Sequence, residues 1–298
     1  MSFLSGCFTG VENTKKISEK DVNKLAPGKV SKEQSYIDSV VPSTLTKWEK
    51  GEEFYVTDNQ AKLIFLPSVK YNLDTISFQG RILKYKGYIE RNILGDESTV
   101  NLMFTDKNNN EYSHATNKTF TELNDADKGV VIPFMISLNL VAKAQTLLKG
   151  KDLYIKTALW YDADDELING TKFVKVHVID VFPGNKTFPL KIEFEYNEAK
   201  AFAFVSTPNS PIVNRTFESL FSFKDIRNQY PTITDENWER ITKSLIALEM
   251  TKEECRLALG APKKIDQRPT YEGLREAWSY ENGIYLVFED GILRSYRK

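Results

Sequence analysis

Apolar and polar positions change rhythm several times along the chain. Leu153-Tyr154-Ile155, Phe173 to Ile179 and Ile192 to Tyr196 alternate, or run in short β-branched and aromatic blocks, and such patterns predict strands. Asn108-Asn109-Asn110 and Pro183-Gly184-Asn185 supply turn chemistry. Ahead of two strand-rich stretches the rhythm is helical. Ser43 to Glu49 forms one short helix, and Ser137 to Leu148 a second, capped by Ser137 with Leu138, Val141, Gln145 and Leu148 on one face. From Ile233 the helical period returns. Trp238, Ile241, Leu245 and Leu248 follow Thr234, a natural cap. Thr251 with Glu254 makes a capping box for the next helix, which Gly260 and Pro262 end. Three alternating segments then run Glu276 to Tyr280, Ile284 to Phe288 and Leu293 to Tyr296. Asn282-Gly283 and Asp290-Gly291 join them as hairpin turns.

The middle of the chain repeats itself. Lys50-Gly51-Glu52-Glu53-Phe54-Tyr55-Val56 recurs 99 residues on as Lys149-Gly150-Lys151-Asp152-Leu153-Tyr154-Ile155 (149 − 50). From Gly80 and Gly170 the spacing becomes 90 (170 − 80). It matches Leu83 with Phe173, Ile89 with Ile179, Leu102 with Ile192, Phe104 with Phe194 and Tyr112 with Phe202. About five short strands in roughly 65 residues predict closure into a small barrel, because closure removes exposed edges. The strand spacing looks like a Src-homology-type small barrel with a long loop after its first strand. The expected fold is multidomain, mainly β plus α+β: two duplicated small β-barrels, then a helix-helix-three-strand domain. The boundaries expected are a tether over 1–34, barrels with their preceding helices over 35–123 and 124–212, a linker over 213–232, and the α+β domain over 233–298.

Charge narrows the function classes. Forty Lys and Arg against 41 Asp and Glu leave a net charge of −1. That balance carries no basic excess of the kind nucleic-acid binders show, so no nucleic-acid partner is expected. With two cysteines and two histidines, no catalytic residue, metal site or cofactor is predicted. Cys255 follows the capping box beside Leu259 and is expected in the core. Asp162 to Glu166 and Asp106 to Asn110 have the look of calcium loops, but neither carries glycine at the sixth position, so both are expected to be solvated hairpin tips.

Leu4-Ser5-Gly6-Cys7 resembles the bacterial lipobox, in which the thiol after small residues receives diacylglycerol. The polar stretch from Thr9 to about Gln34 suits a tether. At the other end, Met250-Thr251-Lys252-Glu253-Glu254, Leu259-Gly260-Ala261-Pro262, Trp278-Ser279-Tyr280 and Phe288-Glu289-Asp290-Gly291-Ile292-Leu293 resemble the BamE (SmpA/OmlA) type of outer-membrane lipoprotein domain. That resemblance covers roughly the last fifth of the chain. It implies a lipid-anchored, non-enzymatic protein acting through protein contacts at the outer membrane. Because the residues after Cys7 lack the acidic cluster that resembles a Bacteroidetes surface-export signal, the protein is expected to face the periplasm. A similar fold serves β-lactamase inhibitor proteins, so inhibiting or sensing an envelope hydrolase is the alternative expectation. Expected partners are the membrane, through the lipid on Cys7, and another envelope protein or a cell-wall component.

One ligand-contact site is expected, in the long loop of the second copy at Trp160-Tyr161-Asp162-Ala163-Asp164. Adjacent aromatics on a strand face opposite ways, so one of Trp160 and Tyr161 is free to meet a ligand beside Asp162 and Asp164. Phe65, Tyr71 and Asp74 are the matching residues of the first copy. The lipobox makes a direct prediction. A precursor carrying this segment partitions into the detergent phase on Triton X-114 separation, and Cys7→Ser moves it to the aqueous phase; aqueous partitioning of both would remove the anchor.

Overall fold

The structure, a computed structural model, describes residues 32–67, 72–92, 98–125, 127–208, 215–271 and 273–298. Cys7 and Tyr71 lie outside them. The described chain is mainly β, with sixteen strands in three sheets and a few short helices.

The described residues open with helix α1 (Lys32–Tyr36). The first sheet contains β1 (Glu53–Val56), β2 (Ile82–Asn92), β3 (Ser98–Thr105), β4 (Glu111–Ala115) and β5 (Met135–Ser137), in the order β4-β3-β2-β1-β5. Helix α2 (Phe120–Leu123) lies between β4 and β5, closed by a Thr119–Glu122 capping box. Helix α3 (Leu138–Leu148), capped by Ser137, leads to the second sheet. There β6 (Asp152–Ile155), β7 (Leu159–Tyr161), β8 (Leu167–Asn169), β9 (Val174–Pro183), β10 (Leu190–Tyr196), β11 (Ala199–Val205) and β12 (Phe221–Ser222) run in the order β12-β6-β9-β10-β11-β7-β8. Helix α4 (Phe217–Leu220) delivers the chain to β12.

Apart from the β7–β8 hairpin, the second order is the first one read from its other edge. Strand pairing identifies the matching residues. Phe54 lies opposite Leu83, and Leu153 opposite Val176; Phe104 lies opposite Tyr85, and Phe194 opposite Val178. Val56 meets Met135, and Ile155 meets Phe221. The spacing between matched residues therefore shrinks along the chain, from 99 (153 − 54) to 86 (221 − 135). The constant spacing of 90 expected from sequence holds on β3 and β10 and fails elsewhere. Leu83 matches Val176 and not Phe173, and Tyr112 matches Ala201 and not Phe202. Hairpins of unequal length absorb the difference, while the faces of the strands keep their period of two.

The expected boundaries also move. Met135–Ser137 pairs with β1, and Val130 and Ile132 join the first core, so the first sheet extends past the expected boundary at 123. The 213–232 stretch is no simple linker: Phe217, Leu220 and Phe221 enter the second core, and β12 pairs with β6. Ile37 and Val40, placed by sequence with the first copy, also join the second core. Glu33 accepts hydrogen bonds from the Phe223 amide and the Ser222 hydroxyl. The helix expected at Ser43 to Glu49 is a single 3-10 turn at Leu45–Lys47.

The C-terminal part follows the predicted order with one addition. Helices α5 (Asp235–Thr242) and α6 (Lys252–Leu259) precede four sequentially paired strands, β13 (Lys264–Thr270), β14 (Gly273–Ser279), β15 (Tyr285–Glu289) and β16 (Ile292–Arg297). The unforeseen β13 is an edge strand. It contains Pro269, whose missing amide hydrogen is tolerable at an edge. Helix α5 is shorter than expected, and Leu245 and Leu248 are exposed. Ser244 adopts φ 59°, and the amides of Ser244 and Leu245 bond the carbonyls of Ile241 and Arg240, which ends the helix as a Schellman motif. Asn237 on α5 donates to Glu254 on α6 at 2.8 Å, tying the two helices. Cys255 is fully buried, and burial pushes its thiol up to about 12, as an inert core residue requires.

Trp278 is 1% exposed and packs on Phe288 with ring centroids 4.7 Å apart. Its indole lies opposite Leu286 on one side and Ile265 on the other. Trp278→Ala should therefore cost about 3–5 kcal/mol in denaturant titration. A loss under about 1 kcal/mol would place the indole outside the core.

Candidate functional site

The expected site in the second sheet is used for folding. Trp160 is buried; its indole donates to the Thr157 carbonyl at 2.8 Å and meets Phe194 edge-on. Tyr161 packs edge-on against Phe204, with the Arg215 guanidinium 5.4 Å from its ring. Asp162 accepts the amides of Asp164 and Glu166, which closes the β7–β8 hairpin. Asp164 is exposed at that tip, and Asp165 pairs with Lys191. In the first sheet Phe65 is buried between Phe78 and Tyr112, and Asp74 is exposed and pairs with Lys62 at 3.0 Å. The expected residues therefore form no common cleft. The other acidic loop behaves like the first. Asp106 accepts from the Asn108 and Asn110 amides and the Tyr112 hydroxyl. Burial raises the Asp106 carboxyl, and these hydrogen bonds more than offset it, leaving it lowered. Among the described residues no three His, Cys, Asp or Glu side chains are grouped to hold a metal ion.

The site that the sequence did not disclose is an open groove on the first sheet, with a volume of about 700 Å³. Its floor is the bulge of β2, where the pairing with β3 skips from Tyr85 to Gly87. Trp48 stands edge-on to Tyr85 at 5.1 Å, and Phe120 of α2 lies against Tyr88 at 5.4 Å. Leu45, Ile89 and Met103 complete the apolar wall. Tyr88 and Ile89 are 42% and 52% exposed. Burial first, then the Tyr88 and Glu52 charges, push the Tyr85 hydroxyl up to about 12, so it stays a neutral hydrogen-bonding group. Lys86 pairs with Glu111 at one rim. Lys50 also lines the groove, with no ion pair among the described residues.

The second sheet has the same bulge, filled. Gly51 donates to the Tyr85 carbonyl at 2.7 Å, and Tyr85 to the Glu52 carbonyl at 2.8 Å; Gly150 and Val178 repeat this with Val178 and Lys151, both at 2.8 Å. These bonds match Lys50 with Lys149, Gly87 with Asp180 and Tyr88 with Val181. There α3 lies across the bulge, with Val141, Ala144 and Leu148 buried. Asp180 accepts from Gln145 of α3 and from Lys149, the latter at 2.6 Å. Burial raises the Asp180 carboxyl, but those bonds outweigh it and lower it.

A second groove of about 580 Å³ lies between α6 and β13. Glu276 is 3% exposed there; it pairs with Lys252 and accepts the Trp278 indole hydrogen at 3.2 Å. The Arg256 guanidinium lies 5.1 Å from the Trp278 ring. Within this cluster Lys252 and Glu276 neutralise each other. No family model, no curated protein and no solved structure matches this chain.

Sequence reasoning also missed Lys172, which immediately precedes the strand expected from Phe173. Its amide bonds the Thr242 carbonyl at 3.0 Å, and its ammonium caps α6 at the Ala258 carbonyl. Phe173, at φ 58°, turns away from the second core and stacks on Trp238. Burial holds the Lys172 ammonium down at about 8. The unfolded chain retains the ordinary lysine value near 10.5, so between these values it binds the extra proton. This group's contribution to stability therefore rises as pH rises from about 8 to about 10.5. Relative to Lys172→Met, the wild type should gain about 3 kcal/mol between pH 7 and 10.5 in denaturant titrations. A gap that does not change with pH would contradict this assignment.

Proposed function

We propose that this chain is a lipid-anchored protein of the bacterial cell envelope that binds a partner and carries out no catalysis. In this reading the two first sheets are copies of one Src-homology-type barrel, and the helix-helix-sheet unit is BamE-like. The matched strand orders and the repeated Gly51 and Gly150 hydrogen bonds support the first point. The capped helix pair packed on a meander around Trp278 supports the second. The lipobox at Cys7 supports the anchor, and no helix among the described residues is long and apolar enough to cross a membrane.

The observation that carries the binding function is the groove over the β2 bulge, open on one copy and filled on the other. Concave aromatic walls around a few polar groups are the usual form of a recognition site. Aromatic side chains bury large area at small entropic cost, which suits them to contact surfaces. The test is capture from detergent-solubilised envelopes on immobilised chain. The wild type should retain a partner that Tyr88→Asp/Ile89→Asp loses, while Arg256→Ala, in the C-terminal groove, retains it. Equal retention by all three chains would reject the groove as the binding site. Release of soluble fragments from purified cell wall by the chain would reject a purely binding function.

A further inference from the structure

We infer that the groove over the β2 bulge receives an amphipathic α-helix of a partner protein, which carries a carboxylate beside its apolar stripe to pair with Lys50. This rests on the binding function proposed above and names its ligand class.

The chain contains its own template for the occupant. On the second sheet the matching surface is covered by α3, an eleven-residue helix that buries Val141, Ala144 and Leu148 against β9 and its neighbours. On the first sheet the chain in that position makes one 3-10 turn, Leu45–Lys47, and then Trp48 turns into the core. The bulge that seats α3 is therefore present on β2 without its helix. The surface it leaves is lined by Trp48, Tyr88, Ile89 and Phe120 among its apolar residues. Helix-in-groove recognition uses such a surface through anchors at i, i+3 or i+4, and i+7.

Charge selects the partner further. On the second sheet Lys149 is neutralised by Asp180, which also holds Gln145 of the helix. On the first sheet Lys50 keeps the position of Lys149, but Gly87 replaces the acid. A Cβ at Gly87 would lie 3.8 Å from the Lys50 side chain, so the lysine stem passes directly over the missing carboxylate. Gly87 has φ 139°, a conformation that disfavours aspartate, so the backbone itself keeps the acid out. The cation is left for a carboxylate from outside, and Lys86 does not compete for it, because Glu111 holds it.

Selection of phage-displayed helical peptides of about twelve residues on the full chain tests this, followed by fluorescence anisotropy with the enriched sequences. The expected peptides carry apolar residues at helical spacing and an Asp or Glu flanking them. Their affinity should fall at least tenfold on Lys50→Glu and recover when the peptide acid is exchanged for Lys. It should vanish on Tyr88→Asp/Ile89→Asp, with unchanged circular dichroism. Enrichment of proline-containing extended peptides, absence of enrichment, or binding indifferent to Lys50→Glu would each overturn the inference. So would concentration-dependent dimerisation abolished by Tyr88→Asp, since the groove would then hold a second copy of the chain. If an envelope partner is captured through Tyr88 and Ile89 but no helix is selected, the ligand class is wrong and the binding function stands. If neither occurs, both fail.

Discussion

The hydrogen-bond pair between a glycine turn and the bulged long strand sets the geometry of both large sheets. Gly51 and Gly150 take φ 93° and 74°, which a side chain would resist, and each aims its amide at the strand it must join. That contact lays β1 and β6 along β2 and β9 and leaves their other edges free for β5 and β12. It also fixes the bulge, because the skipped residue falls just beyond the bonded one on β2. A bulge bends its strand and re-aims the next side chains, so the faces of Tyr88 and Val181 are set by the same turn.

On this common frame the two sheets differ in what covers the bend. α3 brings apolar side chains and Gln145 to the second sheet, and the half-buried Asp180 is stabilised by the donors that surround it. Leaving such an acid buried without donors would cost far more than deleting it. The first sheet has Gly87 and no counterpart of α3, and Tyr88 and Ile89 face an open groove. The two sheets thus differ over the bulge and in the added β7–β8 hairpin, while the order of their other strands is the same.

The C-terminal helices attach through a polar seam as well as an apolar one. Lys172 places its ammonium on the last carbonyls of α6, where the helix dipole favours positive charge. Phe173 adds its ring to Trp238. Burial opposes the lysine charge and the helix end supports it, so the seam is sensitive to alkaline pH in a way that the apolar cores are not.

Local signals were legible in the sequence wherever a residue acts on its immediate neighbours. Thr234, Thr251 with Glu254, and Ser137 cap the helices their spacing suggested, and Asp290-Gly291 turns its hairpin with φ 49° and 84°. The apolar period placed Trp278, Phe104 and Phe194 in cores. The repeat of the glycine turn was visible because it is contiguous. What the sequence hid was decided by pairing between distant residues. Loop lengths shift the correspondence from strand to strand, so a constant spacing sent Leu83 to the wrong partner. Pro269 and the charges around it masked an edge strand. Trp160 and Tyr161 looked like a ligand pair because a sequence shows adjacency and not burial. The groove at Tyr88 lies where α3 has no counterpart above the bulge, and only the three-dimensional match between the two sheets reveals that difference.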